Sequence, residues 1–330
     1  MELNTTFEAL KHLKTVHSLT ALCPEFYNKL KSQGKSENTL KNYKTDMDCF
    51  KNYLIEHQGN DSIEALDLAK ILEYGKFLEV KYDSNNSRRR RVQTLRIFFD
   101  FLVEMGTIGS NPVRKIPTSP KFVDIPRPTK FVDVKTMWMS LITPNKTTGR
   151  LMGLIQQRNQ VIFLLIYHTG LKVSDLANLT VNQINLGNGP RILITPLNRD
   201  PYTIPLNGLT VKIIKNYLLQ LEQEKINSKI EFSQLLFNAN PHKILSGGLS
   251  SRGIEILMED YRRKLSIEVT PKSLRQSAII NWINRGMNDA TVKEWMGVAP
   301  SYSLKNYRDV KDEYFYNDDA LVELFEHNQQ

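Results

Sequence analysis

Thr169-Gly170-Leu171-Lys172-Val173-Ser174-Asp175-Leu176 is the stretch from which the fold is read. Before it, Arg158 to Tyr167 is strongly apolar, as a buried helix would be, and Thr169-Gly170 closes it. After it, Val173–Leu179 has the length and polarity of a second, short helix. A lysine therefore sits in the turn between two helices. Further on, Arg191-Ile192-Leu193-Ile194-Thr195 and Tyr202-Thr203-Ile204-Pro205-Leu206 flank the turn-forming Asn198-Arg199-Asp200-Pro201, the pattern of paired antiparallel strands. Helical periodicity returns over Leu209–Leu221, Gly253–Leu265, Pro271–Asn284 and Asp289–Met296. This region, 131–330, is expected to be mostly α with a small antiparallel sheet, and it ends in an acidic tail.

The first 116 residues read as a separate helical domain with an N-terminal arm. Pro24–Leu30 is a short amphipathic piece stopping at Gly34. Ser36 or Asn38 then caps a helix through Tyr43, Met47, Phe50 and Leu54, with Lys41, Lys44 and Lys51 on its other side. A third helix covers Leu66–Val80. A fourth follows Asn85-Asn86-Ser87, opens with Arg88-Arg89-Arg90-Arg91, and turns Val92, Leu95, Phe98, Phe99 and Leu102 inward. Gly106, Gly109 and Asn111-Pro112 end it. Pro117, Pro120, Pro126 and Pro128 mark 117–130 as a semi-rigid basic linker, because each proline restricts itself and its predecessor to extended backbone.

The chain has 330 residues, 44 basic and 35 acidic, a formal charge of +9. The surplus is uneven. Residues 81–130 carry eleven basic and four acidic residues, and 309–330 carry one basic and seven acidic ones. A concentrated positive stretch favours a polyanionic partner, with a solvated surface as the bland alternative. No apolar run approaches a membrane span, and Met1–Thr6 lacks the build of a secretory signal, so a cytoplasmic, nucleoid-associated protein is expected. Only Cys23 and Cys49 are present, and the six histidines have no metal-ligand spacing, so neither a metal nor a cofactor is expected. Phosphate-binding glycine loops and the G-x-S-x-G elbow are missing.

Several pieces, in order over residues 20–310, resemble the tyrosine recombinase (phage integrase) family. Ser36-Glu37-Asn38-Thr39-Leu40-Lys41-Asn42-Tyr43 is similar to the S-x-x-T-x-x-x-Y start of its core-binding domain. Gly106–Pro112, after Leu95–Leu102, resembles G-x-I-x-x-N-P. Thr169–Leu176 resembles T-G-L-R-I-S-E-L, and Thr270-Pro271-Lys272-Ser273-Leu274-Arg275 resembles T-P-H-x-L-R. Val292–Val298, with Tyr307 nine residues later, resembles the L-G-H segment and nucleophilic tyrosine. The resemblance implies a SAM-like helical core-binding domain and an integrase-like catalytic-type domain, closed as a C-shaped clamp around double-stranded DNA. It also implies homo-oligomers on DNA, with the tail helix (Leu321, Leu324, Phe325) docked either on a neighbouring copy or on its own domain.

The departures from the family's catalytic set carry the functional message. The first arginine falls on Lys172, and the hairpin lysine falls near Leu197, with Arg199 as a stand-in. The histidine falls on Lys272 and the His/Trp on Val298. Arg275 and Tyr307 are kept, and Asp175 keeps the acid beside Lys172. Phosphoryl transfer needs donors placed for the transition state and groups that move protons. Lysine offers a point charge where arginine offers a fork. Lysine, with a reference pKa of ~10.4 against ~6.5 for histidine, holds its proton at neutral pH. Valine does neither job.

The expectation is a sequence-specific DNA-binding protein on a recombinase scaffold that has lost catalysis, with Arg275 and Tyr307 vestigial. Lys172, Lys272, Arg275, Arg199, Arg88, Arg89, Arg90, Arg91, Lys41 and Lys44 are the expected DNA contacts. A transcriptional repressor of a prophage or mobile element is the role this suggests, similar in concept to prophage repressors of the SPbeta type, with a regulatory protein partner left open. An active divergent recombinase using Tyr307 and an accessory architectural protein are the alternatives.

Overall fold

The computed structural model describes residues 17–64, 66–116, 125–144, 149–196, 200–239 and 245–328. Leu197, Arg199, the first part of the expected linker and the N-terminal arm lie outside them. The chain forms two compact units, 1–124 and 125–330.

The first unit is helical. Helix α1 (Leu19–Ser32) is capped by Ser18, α2 (Glu37–Gln58) by Ser36, α3 (Leu68–Lys81) by Asp67 and α4 (Asn85–Glu104) by Ser84. A 3₁₀ turn, Pro112–Lys115, follows. The apolar stripes meet in an aromatic core, with Phe26 5.3 Å from Phe98 and Phe50 4.8 Å from Tyr74 between ring centroids. Helix α1 starts five residues before the expected Pro24. Leu19 and Leu22 bury on the same side as Phe26 and Leu30, and this packing outweighs the one hydrogen bond a proline removes.

The second unit is built on α6 (Arg150–Thr169), following α5 (Phe131–Ile142). Residues 161–167 of α6 are all 0% exposed, so this segment is enclosed on every side. After α7 (Val173–Asn178), strands β1 (Ile184–Asn185), β2 (Arg191–Ile194) and β3 (Tyr202–Pro205) form an antiparallel sheet in that order, with Ile194 opposite Tyr202. Helix α8 (Gly208–Ser228) leads to a second hairpin, β4 (Phe237–Ala239) and β5 (Leu245–Gly247). Helices α9 (Ser251–Leu265), α10 (Pro271–Asn284), α11 (Asp289–Met296), α12 (Lys305–Val310) and α13 (Asp318–His327) complete the unit.

Two expectations shift, and one of two open alternatives is taken. Helix α6 begins at Arg150 rather than Arg158. Arg158 is buried at 7% exposure, with its guanidinium on the carbonyl of Phe237 at 2.9 Å. Residues 125–130 of the expected linker belong to the second unit. The Arg127 backbone N–H donates to Gln276, Thr129 bonds Ser273, and the Thr129 carbonyl accepts from Ser277 and Tyr316. Helix α13 docks on its own unit. Leu321 and Phe325 are buried, Trp138 Nε1 donates to the Leu321 carbonyl at 2.9 Å, and Asp318 accepts from Tyr167, Asn281 and Arg285.

Candidate nucleic-acid interface

The site in the second unit grows from two helix ends. Helix α6 stops at Gly170, which takes φ +57°, and a Cβ there would lie 2.7 Å from the Trp282 ring. Only glycine meets both conditions. The chain then turns through Lys172, the exposed residue that precedes α7. Helix α10 starts with Thr270 as its cap and Pro271 in its first turn, and Thr270 and Ser273 exchange side chain–backbone hydrogen bonds. This places Lys272 outward in the first turn and Arg275 one turn on, against the end of α6.

Arg275 is a bracket as well as a cation. One terminal nitrogen donates to the Gly170 carbonyl and the other to the Met296 carbonyl, at the C-terminal ends of α6 and α11. Helix C-terminal carbonyls carry partial negative charge, so a guanidinium between two of them is well placed.

Lys172, Lys272 and Arg275 line one hollow of about 810 Å³. The structure thus brings together three of the sequence-expected cations. It also adds acidic groups that sequence reading did not place there. Helix α9 lines the same hollow with Arg252 and Arg263, and with Glu255, Glu259 and Asp260. Glu259 accepts from Arg262 at 2.7 and 2.9 Å and from Arg263 at 2.7 Å. Those arginine hydrogen bonds pull its carboxyl down to about 2. Glu255 pairs with Arg252 at 3.1 Å. The signal for these pairs was present in the sequence as i,i+3 and i,i+4 spacings, but not the face of α9 on which they lie.

Tyr307 on α12 is buried at 7% exposure and is not among the described residues lining the hollow. Val298 is partly buried against the core. Arg199 and Leu197 lie outside the described residues. No group of His, Cys, Asp or Glu among the described residues is arranged to hold a metal.

In the first unit the four arginines diverge. Arg91 is buried at 7% exposure, stacks over Tyr82 at 3.7 Å and donates to the Ser87 carbonyl at 3.1 Å. Arg90 donates to Asp46 at 2.8 Å and to Asn42 at 2.7 Å. Arg88 donates to Asn85, and its buried Nε has no hydrogen-bond partner among the described residues. Arg89 lines a hollow of about 330 Å³ between α2 and α4, with Asn42, Asn86 and Gln93. Lys41 is exposed, and the exposed Lys44 lies 5.5 Å over the Tyr27 ring. Sequence reading missed Asp46, a carboxylate 1% exposed and raised in pKa by burial. Its position on the inner face of α2, beside Met47, was its only local sign.

Among the described residues no helix is long and apolar enough to cross a membrane. The pattern of the phage integrase family covers residues 143–314, and that of the phage integrase N-terminal SAM-like domain covers 24–106. Tyrosine recombinase XerD of Listeria monocytogenes serotype 4b is 24% identical over 280 residues, 84% of this chain and 90% of that protein. Tyrosine recombinase XerC of Herpetosiphon aurantiacus is 26% identical over 282 residues, 85% of this chain and 87% of that protein. Among solved structures, a lambda integrase dimer bound to a COC′ core site superposes with TM-score 0.66 at 16% identity, over 94% of this chain and 83% of that one. XerH recombinase bound to a palindromic difH substrate, a post-cleavage complex, gives 0.67 at 15% identity, over 94% and 86%. With its SAM-like helical domain followed by a mainly α domain carrying small antiparallel sheets, this chain belongs to the phage integrase family.

Proposed function

We propose that this protein binds double-stranded DNA at defined sites on a tyrosine recombinase scaffold without cutting it, and that it acts as a transcriptional repressor of a prophage or mobile element. The observation that carries this is the composition of the hollow beside Gly170. Lys172, Lys272 and Arg275 line it, while Val298 stands at the His/Trp position and Tyr307 is buried and absent from its described lining. Five cations line the hollow against three carboxylates, so it attracts a phosphate, and no histidine is among its described lining. Each missing electrostatic donor costs ~10²–10³ in rate, and the costs compound without adding simply. Lys172 and Lys272 in the second unit, and Lys41, Lys44, Arg88 and Arg89 in the first, contact the DNA backbone and set the salt dependence of binding, while Arg275, held by the Gly170 and Met296 carbonyls, adds its charge beside Lys172 and Lys272. Bound copies assemble as homo-oligomers, as the DNA-bound dimers among the structural neighbours do.

An active but divergent recombinase is the alternative. It is favoured by Tyr307 at the nucleophile position and by relatives that are recombinases. One experiment separates the two. Genomic fragments bound by the purified protein are selected, and each bound sample is divided into native and SDS-denatured halves. The repressor is expected to give discrete sites near promoters that release fully in SDS and bind unchanged in Tyr307→Phe. SDS-resistant adducts that vanish in Tyr307→Phe would establish the recombinase instead.

A further inference from the structure

Four consecutive arginines at the start of α4 offer, on paper, four cations to any phosphate. The structure withholds two of them. Asp46 on α2 has a side chain 1% exposed. Its Oδ2 accepts the Thr94 hydroxyl at 2.9 Å, its Oδ1 accepts Arg90 at 2.8 Å, and Arg91 Nε lies 3.9 Å from the same oxygen. The second terminal nitrogen of Arg90 donates to Asn42 at 2.7 Å, so both ends of its fork are engaged. Its side chain is nevertheless 41% exposed and borders the hollow lined by Asn86, Arg89 and Gln93.

We propose that Asp46 is a positioning residue that stands in for phosphate inside the first unit, holding Arg90 away from the DNA backbone so that arbitrary duplexes meet fewer cations than the sequence displays. The proposal rests on the DNA-binding reading above. The physical ground is a competition between two anions for one guanidinium. A backbone phosphate is solvated and screened by salt, with a Debye length of ~8 Å at physiological ionic strength. Asp46 is desolvated, fixed by Thr94, and already hydrogen-bonded to Arg90. Electrostatic contacts of arginine with phosphate carry no sequence information, so each one withheld lowers non-specific binding and leaves base contacts to decide the site.

The test is a set of binding isotherms on one random-sequence duplex across a range of salt concentrations. The wild-type chain, Arg90→Gln, Asp46→Asn, the double variant and Asp46→Glu are compared, each with a melting curve. Arg90→Gln is expected to leave the slope of log affinity against log salt unchanged. Asp46→Asn is expected to bind more tightly and to steepen the slope by ~0.9, the increment of one phosphate contact. The double variant returns to the wild-type slope, and Asp46→Glu keeps it. A flatter slope in Arg90→Gln, or an unchanged slope in folded Asp46→Asn, overturns the proposal. If Asp46→Asn does not fold, the Arg90→Gln slope decides alone. No binding by the wild-type chain at any salt concentration would overturn the DNA-binding reading itself, and this proposal with it.

Discussion

Arg275 and Gly170 are joined by a hydrogen bond from guanidinium to carbonyl that spans 105 residues of sequence. The same side chain reaches the Met296 carbonyl, so one arginine ties the C-terminal ends of α6 and α11, each followed by a left-handed glycine, Gly170 at φ +57° and Gly297 at φ +66°. Arg275→Ala is expected to lower the unfolding free energy of the second unit by ~3 kcal/mol, since hydrogen bonds from charged groups contribute ~1.5–3 kcal/mol each and these two share a donor. Urea titration followed by tryptophan fluorescence checks it. A loss below ~0.5 kcal/mol would mean that Arg275 serves only an outside ligand.

Gly170→Ala places a methyl group into the Trp282 ring at a backbone conformation L-residues disfavour. Overpacking costs ~1–3 kcal/mol and the left-handed conformation about 1 kcal/mol more. The expected outcome is a melting temperature lower by several degrees, with an altered emission from Trp282, which packs edge-on against Trp295 at 5.2 Å. An unchanged melting curve would show that α10 can retreat from α6 without cost.

His168 gives a stability that depends on pH. Burial holds its pKa down at about 4, against an ordinary 6.5. Its Nδ1 lies 2.9 Å from Thr210 Oγ1 and 3.2 Å from Asn207, while the buried Nε2 has no hydrogen-bond partner among the described residues. The folded chain keeps the ring neutral where the unfolded chain takes up a proton. The stabilisation is therefore complete above pH ~6.5 and lost as pH falls from 6.5 towards 4, by on the order of 3 kcal/mol. Denaturant titrations across that window should show the fall in the wild-type chain and a shallower one in His168→Gln. Parallel curves would assign the acid sensitivity to other groups.

The four arginines of α4 should separate by experiment. Arg91→Ala removes a buried side chain from over Tyr82 and is expected to destabilise the first unit by about 1–2 kcal/mol. Arg88→Ala with Arg89→Ala should weaken DNA binding and flatten its salt slope by ~0.9 for each phosphate that is no longer neutralised. Melting curves and salt titrations of both variants check the division, and an unchanged slope in the double variant would remove Arg88 and Arg89 from the interface.

Much of the fold is legible in the sequence because helix limits are short-range facts. Pro271–Asn284 and Asp289–Met296 are predicted and observed with the same bounds, since Thr270 and Asn288 cap them and Gly297 closes the second. The β2–β3 hairpin follows from alternation around a turn. The β4–β5 hairpin escaped notice because three-residue strands show no period. The first turns of α6 did too, because Gly153 stands among Leu151, Met152, Leu154 and Ile155, and glycine weakens a helix interior.

By itself the sequence determined the limits of several helices, the β2–β3 hairpin and the family, because caps, glycines and apolar spacing act within a few residues of themselves. It also supplied the expectation that Lys172, Lys272 and Val298 stand where the family it resembles carries other residues. Only the tertiary structure decided what each cation faces. Arg90 meets Asp46 from 44 residues away, Arg275 meets Gly170 from 105, and the carboxylates of α9 turn into the hollow that holds Lys172 and Lys272. Pairing of this kind depends on how helices pack, and no local pattern records which charge will be buried against which.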